Sequence, residues 1–157
     1  MLKRLQALTW TPEFNVVLFA LLLNYPWEFL QVPLFEGMSH APHWAAVKAC
    51  TRAALGDAAI ALFAYWAVAL LYRSRAWMTR ATWGSVLCFV ALGATATVVI
   101  ERLALTGLWM DGWTYAALMP VVPVLGVGLS PLLQWLVLPP LVVWLVRRQL
   151  ASAIEPG

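Results

Sequence analysis

The feature that most constrains this chain is a run of 28 residues, from Met119 to Val146, without a single charged side chain. Three other long apolar stretches precede it, and the 157 residues are 63% hydrophobic and only 11% charged. Soluble domains carry about 25% charged residues, so this chain has too few to cover a soluble surface. Its hydrophobicity also excludes intrinsic disorder. We therefore predict an all-α integral membrane protein in which residues 1–157 form a single domain.

Four transmembrane helices are predicted, because a helix needs about 20 apolar residues to cross a bilayer. Length and apolarity place them at about residues 14–35, 51–72, 83–105 and 131–150. The fourth is expected to begin at Ser130 and Pro131, since serine is a good N-cap and proline is favoured at the first helical position. Pro139 and Pro140 are expected to kink it.

An apolar segment rich in proline and glycine, residues 108–129, lies between the third and fourth predicted spans. Within it, residues 119–128 hold two prolines and two glycines and cannot form a regular helix. Non-helical backbone is tolerated at membrane depth only when it is buried in protein or lines a cavity. We predict an interfacial or partly re-entrant cover over the bundle. The alternative is a distorted extension of the fourth helix.

The basic residues predict the orientation, because cytoplasmic loops are enriched in lysine and arginine. With the N-terminus inside, the cytoplasmic side holds seven of them and the outer side three. The seven are Lys3, Arg4, Arg73, Arg75, Arg80, Arg147 and Arg148, and the three are Lys48, Arg52 and Arg102. Both termini are therefore predicted to be cytoplasmic, in a bacterial inner membrane. The basic residues form no single patch, so no nucleic-acid partner is expected.

Three acidic residues fall within the predicted spans, where ionisable side chains are costly and are candidates for function. By helical rise, Glu28, Asp57 and Glu101 lie roughly 10, 9 and 6 Å below the outer ends of their helices. All three are thus expected at a similar depth in the outer half of the membrane. We take them as the candidate catalytic residues.

Residues one helical turn away indicate where these acids point. Asn24 and Gln31 share the face of Glu28, and small residues share the faces of the other two acids: Ala53, Ala61 and Ala64 with Asp57, and Gly93, Thr97 and Ala104 with Glu101. Small residues let membrane helices approach closely, so the acids are expected to point into the bundle. Arg52 and Arg102 are expected to pair with Asp57 and Glu101.

Further side chains complete the candidate ligand site. The indole of Trp27 lies beside Glu28. The fourth helix, beginning at Ser130, would direct its first backbone N–H groups at the site. The alternative is that water or residues 108–129 satisfy these N–H groups. The predicted ligand-binding residues are Asn24, Trp27, Gln31, Arg52, Arg102, Trp109, Tyr115 and Ser130.

No cofactor is predicted. His40 and His43 form an H-x-x-H pair that Glu28, Glu36 or Asp111 would have to complete for zinc. Pro42 separates the two histidines and disfavours helical spacing, so we expect ordinary interfacial histidines and name this pair only as the weak metal candidate. Cys50 and Cys88 are predicted near opposite faces of the membrane, too far apart for a disulfide.

The stretch Glu28-Phe29-Leu30-Gln31-Val32-Pro33 resembles the acid-Gln-Pro pattern of the four- to five-helix sterol isomerase superfamily, over six residues and with a different spacing. The resemblance implies a lipophilic ligand.

The leading hypothesis is an outer-leaflet polar cavity that binds a lipophilic ligand or membrane lipid. Acid–base, isomerase-like chemistry on an isoprenoid or lipid would be its enzymatic form, and whether the protein is an enzyme stays open. Buried carboxyl groups that only lock the helices together are the alternative, in a structural subunit or assembly factor of a membrane complex. A small oligomeric transporter is the second alternative. A continuous conduction path is poorly supported, because the cytoplasmic half offers few polar residues and no ionisable partner beyond a neutral thiol. The partners considered are lipids, further copies of the chain or a larger complex.

Overall fold

The computed structural model describes residues 11–108 and 112–151, and these form a bundle of four helices. The helices are α1 (Pro12–Gln31), α2 (His43–Leu71), α3 (Trp83–Leu105) and α4 (Leu129–Ala151). All four are long and apolar enough to cross a membrane. The prediction of a helical membrane protein with four spans is therefore confirmed.

The helix bounds follow from local sequence, and two of them differ from the predicted spans by four residues or more. α1 gives way at Val32 to a single 3-10 turn, Val32–Leu34, that contains Pro33. α2 begins directly after Pro42, eight residues before the predicted start. α3 has the predicted bounds, and its first turn is closed by reciprocal side-chain bonds between Thr82 and Ser85.

The helices pack as a ring in chain order, with α1 against α2 and α4, and α3 against α2 and α4. Alanines on α2 line the contact, because Ala54, Ala58 and Ala61 are all buried. Small side chains of this kind allow close packing of membrane helices. The buried core combines them with larger side chains such as Tyr65 and Phe89.

One end of the bundle, which we name the capped end, is where α1 and α3 finish and α2 and α4 start. Residues 121–128 form a two-stranded hairpin there, β1 (Val121–Val122) with β2 (Val127–Gly128). Its turn contains Gly126 at a φ of 63°, a left-handed conformation that suits glycine. The prediction that this stretch cannot be a regular helix is confirmed, and it is not a helical extension of α4.

Residues 112–120 tie the hairpin to the connection after α1, and we call residues 112–128 the cap. Phe35 and Tyr115 form an antiparallel bridge. On either side of it, the Glu36 N–H donates to the Thr114 carbonyl at 2.9 Å, and the Ala116 N–H donates to the Leu34 carbonyl at 2.9 Å. The cap is thus hydrogen-bonded across the end of the bundle.

The opposite end is closed by the connection between α2 and α3. The Arg75 guanidinium contacts the Glu13 carboxylate at 2.7 Å, and the Tyr65 hydroxyl donates to the Arg75 carbonyl at 2.6 Å. The Glu13 carboxylate raises the pKa of the Arg75 guanidinium through a hydrogen bond and its charge. These contacts fasten α1 and α2 to the loop.

Candidate ligand site

A line of polar side chains runs down the buried face of α1. Asn24, Glu28 and Gln31 recur at helical spacing and are all buried. The Gln31 amide donates to Glu28 Oε1 at 3.0 Å, and the Asn24 amide donates to the Ala20 carbonyl at 2.7 Å. The predicted common face of Asn24, Glu28 and Gln31 is therefore present and points into the bundle.

Gln134 of α4 is the centre of the site, because its side-chain nitrogen contacts three oxygens from two other helices. Nε2 lies 2.7 Å from Asn24 Oδ1, 3.0 Å from Glu28 Oε1 and 2.9 Å from Asp57 Oδ2. The two carboxylate oxygens are thus within about 6 Å of each other. An amide nitrogen has two hydrogens, so three acceptors share two donated bonds.

The start of α4 adds a fourth contact. The Ser130 hydroxyl donates to Gln31 Oε1 at 2.9 Å, which connects it through Gln31 to Glu28. We call the six residues joined in this way the acid cluster: Asn24, Glu28, Gln31, Asp57, Ser130 and Gln134. The cluster joins α1, α2 and α4.

The predicted cap geometry at Ser130 differs from the structure. α4 begins at Leu129, so Ser130 lies inside its first turn. The Leu129 N–H donates to the Pro120 carbonyl at 2.7 Å, and the Gly128 N–H donates to the Tyr115 hydroxyl at 2.8 Å. Because the cap satisfies these two N–H groups, they do not point at the acid cluster.

Glu101 has a separate set of partners. It is buried near the end of α3, and its Oε2 accepts hydrogen bonds from the Tyr115 hydroxyl and, at 3.2 Å, from the Trp113 indole. Burial and the bond to Glu101 raise the pKa of the Tyr115 phenol above its ordinary value. Glu101 therefore fastens the cap to α3, and the structure joins only Glu28 and Asp57 through one amide.

The helix face predicted for Glu101 is present, and the face predicted for Asp57 is present only in part. Gly93, Thr97, Glu101 and Ala104 are all buried, as one stripe of α3. On α2, Ala61 and Ala64 are buried as predicted, but Ala53 is exposed. Asp57 is half-buried, at the edge of a buried stripe that continues through Ala58, Ala54 and Cys50. Asp57 reaches Gln134 from that edge.

The predicted arginine–carboxylate pairs are wrong. Within residues 11–108 and 112–151, the one ion pair is Arg75 with Glu13, and Arg52 and Arg102 are exposed. Arg102 lies over the hairpin turn, where a Cβ at Gly126 would come within 2.2 Å of its Nη1. The acids accept hydrogen bonds from amide, phenol and indole donors instead of from arginines.

Three buried donors near the acids have no hydrogen-bond partner among the described residues. They are the indole N–H groups of Trp27 and Trp135 and the hydroxyl of Thr97. Trp27 is next to Glu28, Trp135 is next to Gln134, and Thr97 is one turn from Glu101. An unsatisfied buried polar group costs about 1–3 kcal/mol, so three of them near the acids need an explanation.

A small cavity lies beside one of these donor residues, Trp135. Its volume is about 10 Å³, enough for about one water molecule, and its wall includes Asn24, Gln134, Trp135 and Pro139. Pro139 has no N–H for the Trp135 carbonyl one turn earlier. The cavity therefore lies where both side-chain and backbone polar groups converge.

Close packing fixes the Trp135 ring. A Cβ placed on Gly93 of α3 would lie 1.9 Å from the ring atom Cζ3. The glycine thus lets the indole lie flat against α3.

The remaining predicted site residues lie away from the acid cluster or outside the described residues. His40 and His43 are exposed, and no group of three His, Cys, Asp or Glu side chains that could hold a metal occurs in the described part of the chain. Trp109 and Asp111 lie outside the described residues. Cys50 and Cys88 are free thiols.

Sequence reasoning missed Gln134, Trp113 and Trp135 as members of the site. Gln134 did carry a signal, since it is the one amide side chain in the uncharged run. An isolated amide in an apolar span needs a buried partner. Trp113 and Trp135 carried no such signal in a chain with ten tryptophans.

We also compared the chain with known proteins. No family model, no curated protein and no solved structure matches it.

Proposed function

We propose that this protein binds a lipophilic molecule whose polar group, a hydroxyl or a carbonyl, is held at the acid cluster. The supporting observation is that two carboxyl groups meet at Gln134, while the unpaired indole donors Trp27 and Trp135 adjoin Glu28 and Gln134 in the chain. A ligand oxygen can accept from an indole N–H and donate to a carboxylate, so it would satisfy both kinds of group.

The size of the cavity defines which part of the ligand enters. A volume of about 10 Å³ holds one oxygen-sized group. The apolar wall formed by Ala20, Ala61, Leu138 and Val142 excludes a large polar ligand. The apolar remainder of the molecule would extend between helices toward the lipid.

The same geometry supports acid–base chemistry on such a ligand. Glu28 and Asp57 meet at one amide, so a carbon skeleton beside them would face two carboxyl groups. In a double-bond shift, one carboxyl group would deliver a proton to one carbon of the double bond, and the other would take a proton from the carbon attached to the other end of that bond. Glu101 would act from the cap side, because it holds Tyr115 and Trp113.

A structural role is the second candidate, and one observation favours it. Gln134 connects α4 to α1 and α2 through side-chain bonds, which by themselves would lock the bundle of a subunit or assembly factor. Transport is less well supported, because Val16, Phe89, Val142 and Val146 fill the core beyond the cluster.

We further propose a bacterial inner membrane with both termini in the cytoplasm and the capped end outside. The support is the distribution of basic residues: Arg73, Arg75, Arg80, Arg147 and Arg148 lie at the end opposite the cap. A fluorescent reporter fused after Gly157 is expected to fold and fluoresce, and a periplasm-dependent phosphatase at the same place is expected to stay inactive. The reverse pattern would contradict this orientation.

Single variants of the acid cluster test the ligand. Glu28→Gln and Asp57→Asn keep the side-chain shape and remove the carboxylate, while Glu13→Gln removes a carboxylate at the opposite end as the matched control. Each protein is extracted from its own membrane, and the lipophilic molecules it retains are quantified by mass spectrometry after denaturation.

Both cluster variants are expected to retain about a tenth or less of the wild-type amount, since a hydrogen bond to a charged group contributes about 1.5–3 kcal/mol. The control is expected to match the wild type. If all variants remain helical and retain the same molecules in the same amounts, the ligand proposal is wrong. If the cluster variants unfold instead and the wild type retains nothing, the structural role replaces it.

A further inference from the structure

We infer that a groove between α1 and α2 binds a phospholipid with an anionic head group. The groove has a volume of about 300 Å³ and is lined by Leu21, Leu22, Tyr25, Pro26, Thr51 and Leu55. None of these residues belongs to the acid cluster, so this site is separate from the one proposed above.

The wall of the groove is suited to a hydrocarbon chain. Leu22 of α1 and Leu55 of α2 both line it and are exposed by 58% and 54%. On a helix pair within a bilayer, such side chains contact lipid. The volume lies at the lower end of the range for small-molecule sites, which suits one acyl chain lying along the two helices.

Hydroxyl groups add a polar element to this apolar wall. Thr51 Oγ1 lies 2.7 Å from the Val47 carbonyl and 3.4 Å from the Tyr25 hydroxyl. Its single hydrogen serves the shorter bond. The Tyr25 hydroxyl hydrogen is then directed at Thr51 or at an oxygen in the groove, such as the ester carbonyl of a lipid.

Two cations lie on the same helix, just above the groove. Lys48 and Arg52 are one turn apart and exposed, and Arg52 directly follows the lining residue Thr51. No carboxylate in residues 11–108 or 112–151 lies within ion-pair distance of either. Their charge therefore calls for an anionic partner, and a lipid phosphate is the anion that a membrane supplies at this position.

The order of side chains along α2 matches the order of groups in a phospholipid. Exposed Trp44 comes first, then Lys48 and Arg52, and then Leu55. With 29 residues, α2 is about 43 Å long, against about 30 Å of hydrocarbon. With the other end of α2 at the opposite face, about nine residues at its start extend beyond the hydrocarbon. This places Lys48 outside it, Arg52 at its boundary and Leu55 among the chains.

The test compares two lipids with identical chains and different head groups. Detergent-purified full-length protein is titrated with dioleoyl phosphatidylglycerol or dioleoyl phosphatidylcholine, and the bound fraction is measured by native mass spectrometry. Wild type is expected to prefer phosphatidylglycerol about tenfold or more, since each basic residue near an anionic lipid contributes about 1 kcal/mol.

The double variant Lys48→Gln/Arg52→Gln is expected to lose this preference. Arg80→Gln/Arg147→Gln removes the same net charge at the other end and is expected to keep it. Leu55→Trp, or Leu22→Trp on the opposite wall, fills the groove and is expected to weaken binding of both lipids about tenfold.

Three results would overturn the inference. The first is that Lys48→Gln/Arg52→Gln keeps the preference for phosphatidylglycerol. The second is that both lipids bind both groove-filling variants as tightly as they bind the wild type. The third is that inorganic phosphate alone displaces the bound phosphatidylglycerol, which would make the two cations a simple anion site. Circular dichroism of each variant verifies that the helices are intact.

Discussion

At the scale of single residues, Gln134 does the most to determine the site. It is buried in an apolar helix, and its amide nitrogen contacts Asn24, Glu28 and Asp57. The positions of Glu28 and Glu101 on inward faces were predictable from helical spacing. Their partners were not, because the choice between an arginine, an amide and a phenol depends on which helices lie side by side.

Gly93 provides the sharpest test of packing at this scale. Gly93→Ala places a methyl group 1.9 Å from the Trp135 ring, so we expect a loss of about 1–3 kcal/mol in unfolding free energy from overpacking. Gly56→Ala is the matched control, because nothing lies within 4 Å of a Cβ there. Its expected change is less than about 1 kcal/mol. Denaturant unfolding in detergent measures both, and equal effects would contradict the described packing.

Tyr115 gives a prediction that depends on pH. Its phenol is neutral in the folded protein and its pKa is raised, so the folded state holds the proton more tightly than the unfolded state. The stabilisation is complete below the unfolded pKa of about 10 and is lost as pH rises through the higher folded pKa. Wild type is therefore expected to lose stability above about pH 10 more steeply than Tyr115→Phe.

The same variant lacks the bonds to Glu101 and Gly128. At neutral pH, Tyr115→Phe is expected to lower the unfolding free energy by about 1–3 kcal/mol. Tyr72→Phe, which changes an exposed tyrosine at the other end of the bundle, serves as the control. Parallel alkaline stability curves for wild type and Tyr115→Phe would be evidence against a buried, proton-retaining phenol.

At the scale of elements, helices were predictable and the cap was only partly so. Four apolar runs give four helices because a bilayer requires every backbone group to be satisfied internally. The non-helical nature of residues 119–128 followed from their prolines and glycines. The pairing of Phe35 with Tyr115 did not, since it joins parts of the chain 80 residues apart.

The length of α2 supplies the prediction at this scale. Lys48 and Phe63 are both exposed on α2, but only position 48 is expected to lie outside the hydrocarbon. In a variant with Cys50 and Cys88 replaced by alanine, Lys48→Cys should react with a membrane-impermeant thiol reagent in intact membranes and Phe63→Cys should not. Equal labelling of the two positions would show that α2 does not extend beyond the hydrocarbon.

At the scale of the whole molecule, the scarcity of charge gives each charged residue a definite place. One acid and one arginine, Glu13 and Arg75, fasten the end opposite the cap. Glu28 and Asp57 meet Gln134 in the interior, and Glu101 holds the cap through Tyr115. Lys48 and Arg52 lie on the outside of α2. The interior group is proposed to hold a ligand in addition to joining the helices.

Native mass spectrometry of the intact wild-type protein, extracted from its own membrane, tests whether the interior group holds a ligand. We predict a species that carries one lipophilic molecule per chain, present in equal proportion in Glu13→Gln and lost in Glu28→Gln and Asp57→Asn. A chain without bound ligand in every sample would contradict the proposed ligand site. So would a chain that is detected only in complex with other protein subunits at a fixed ratio.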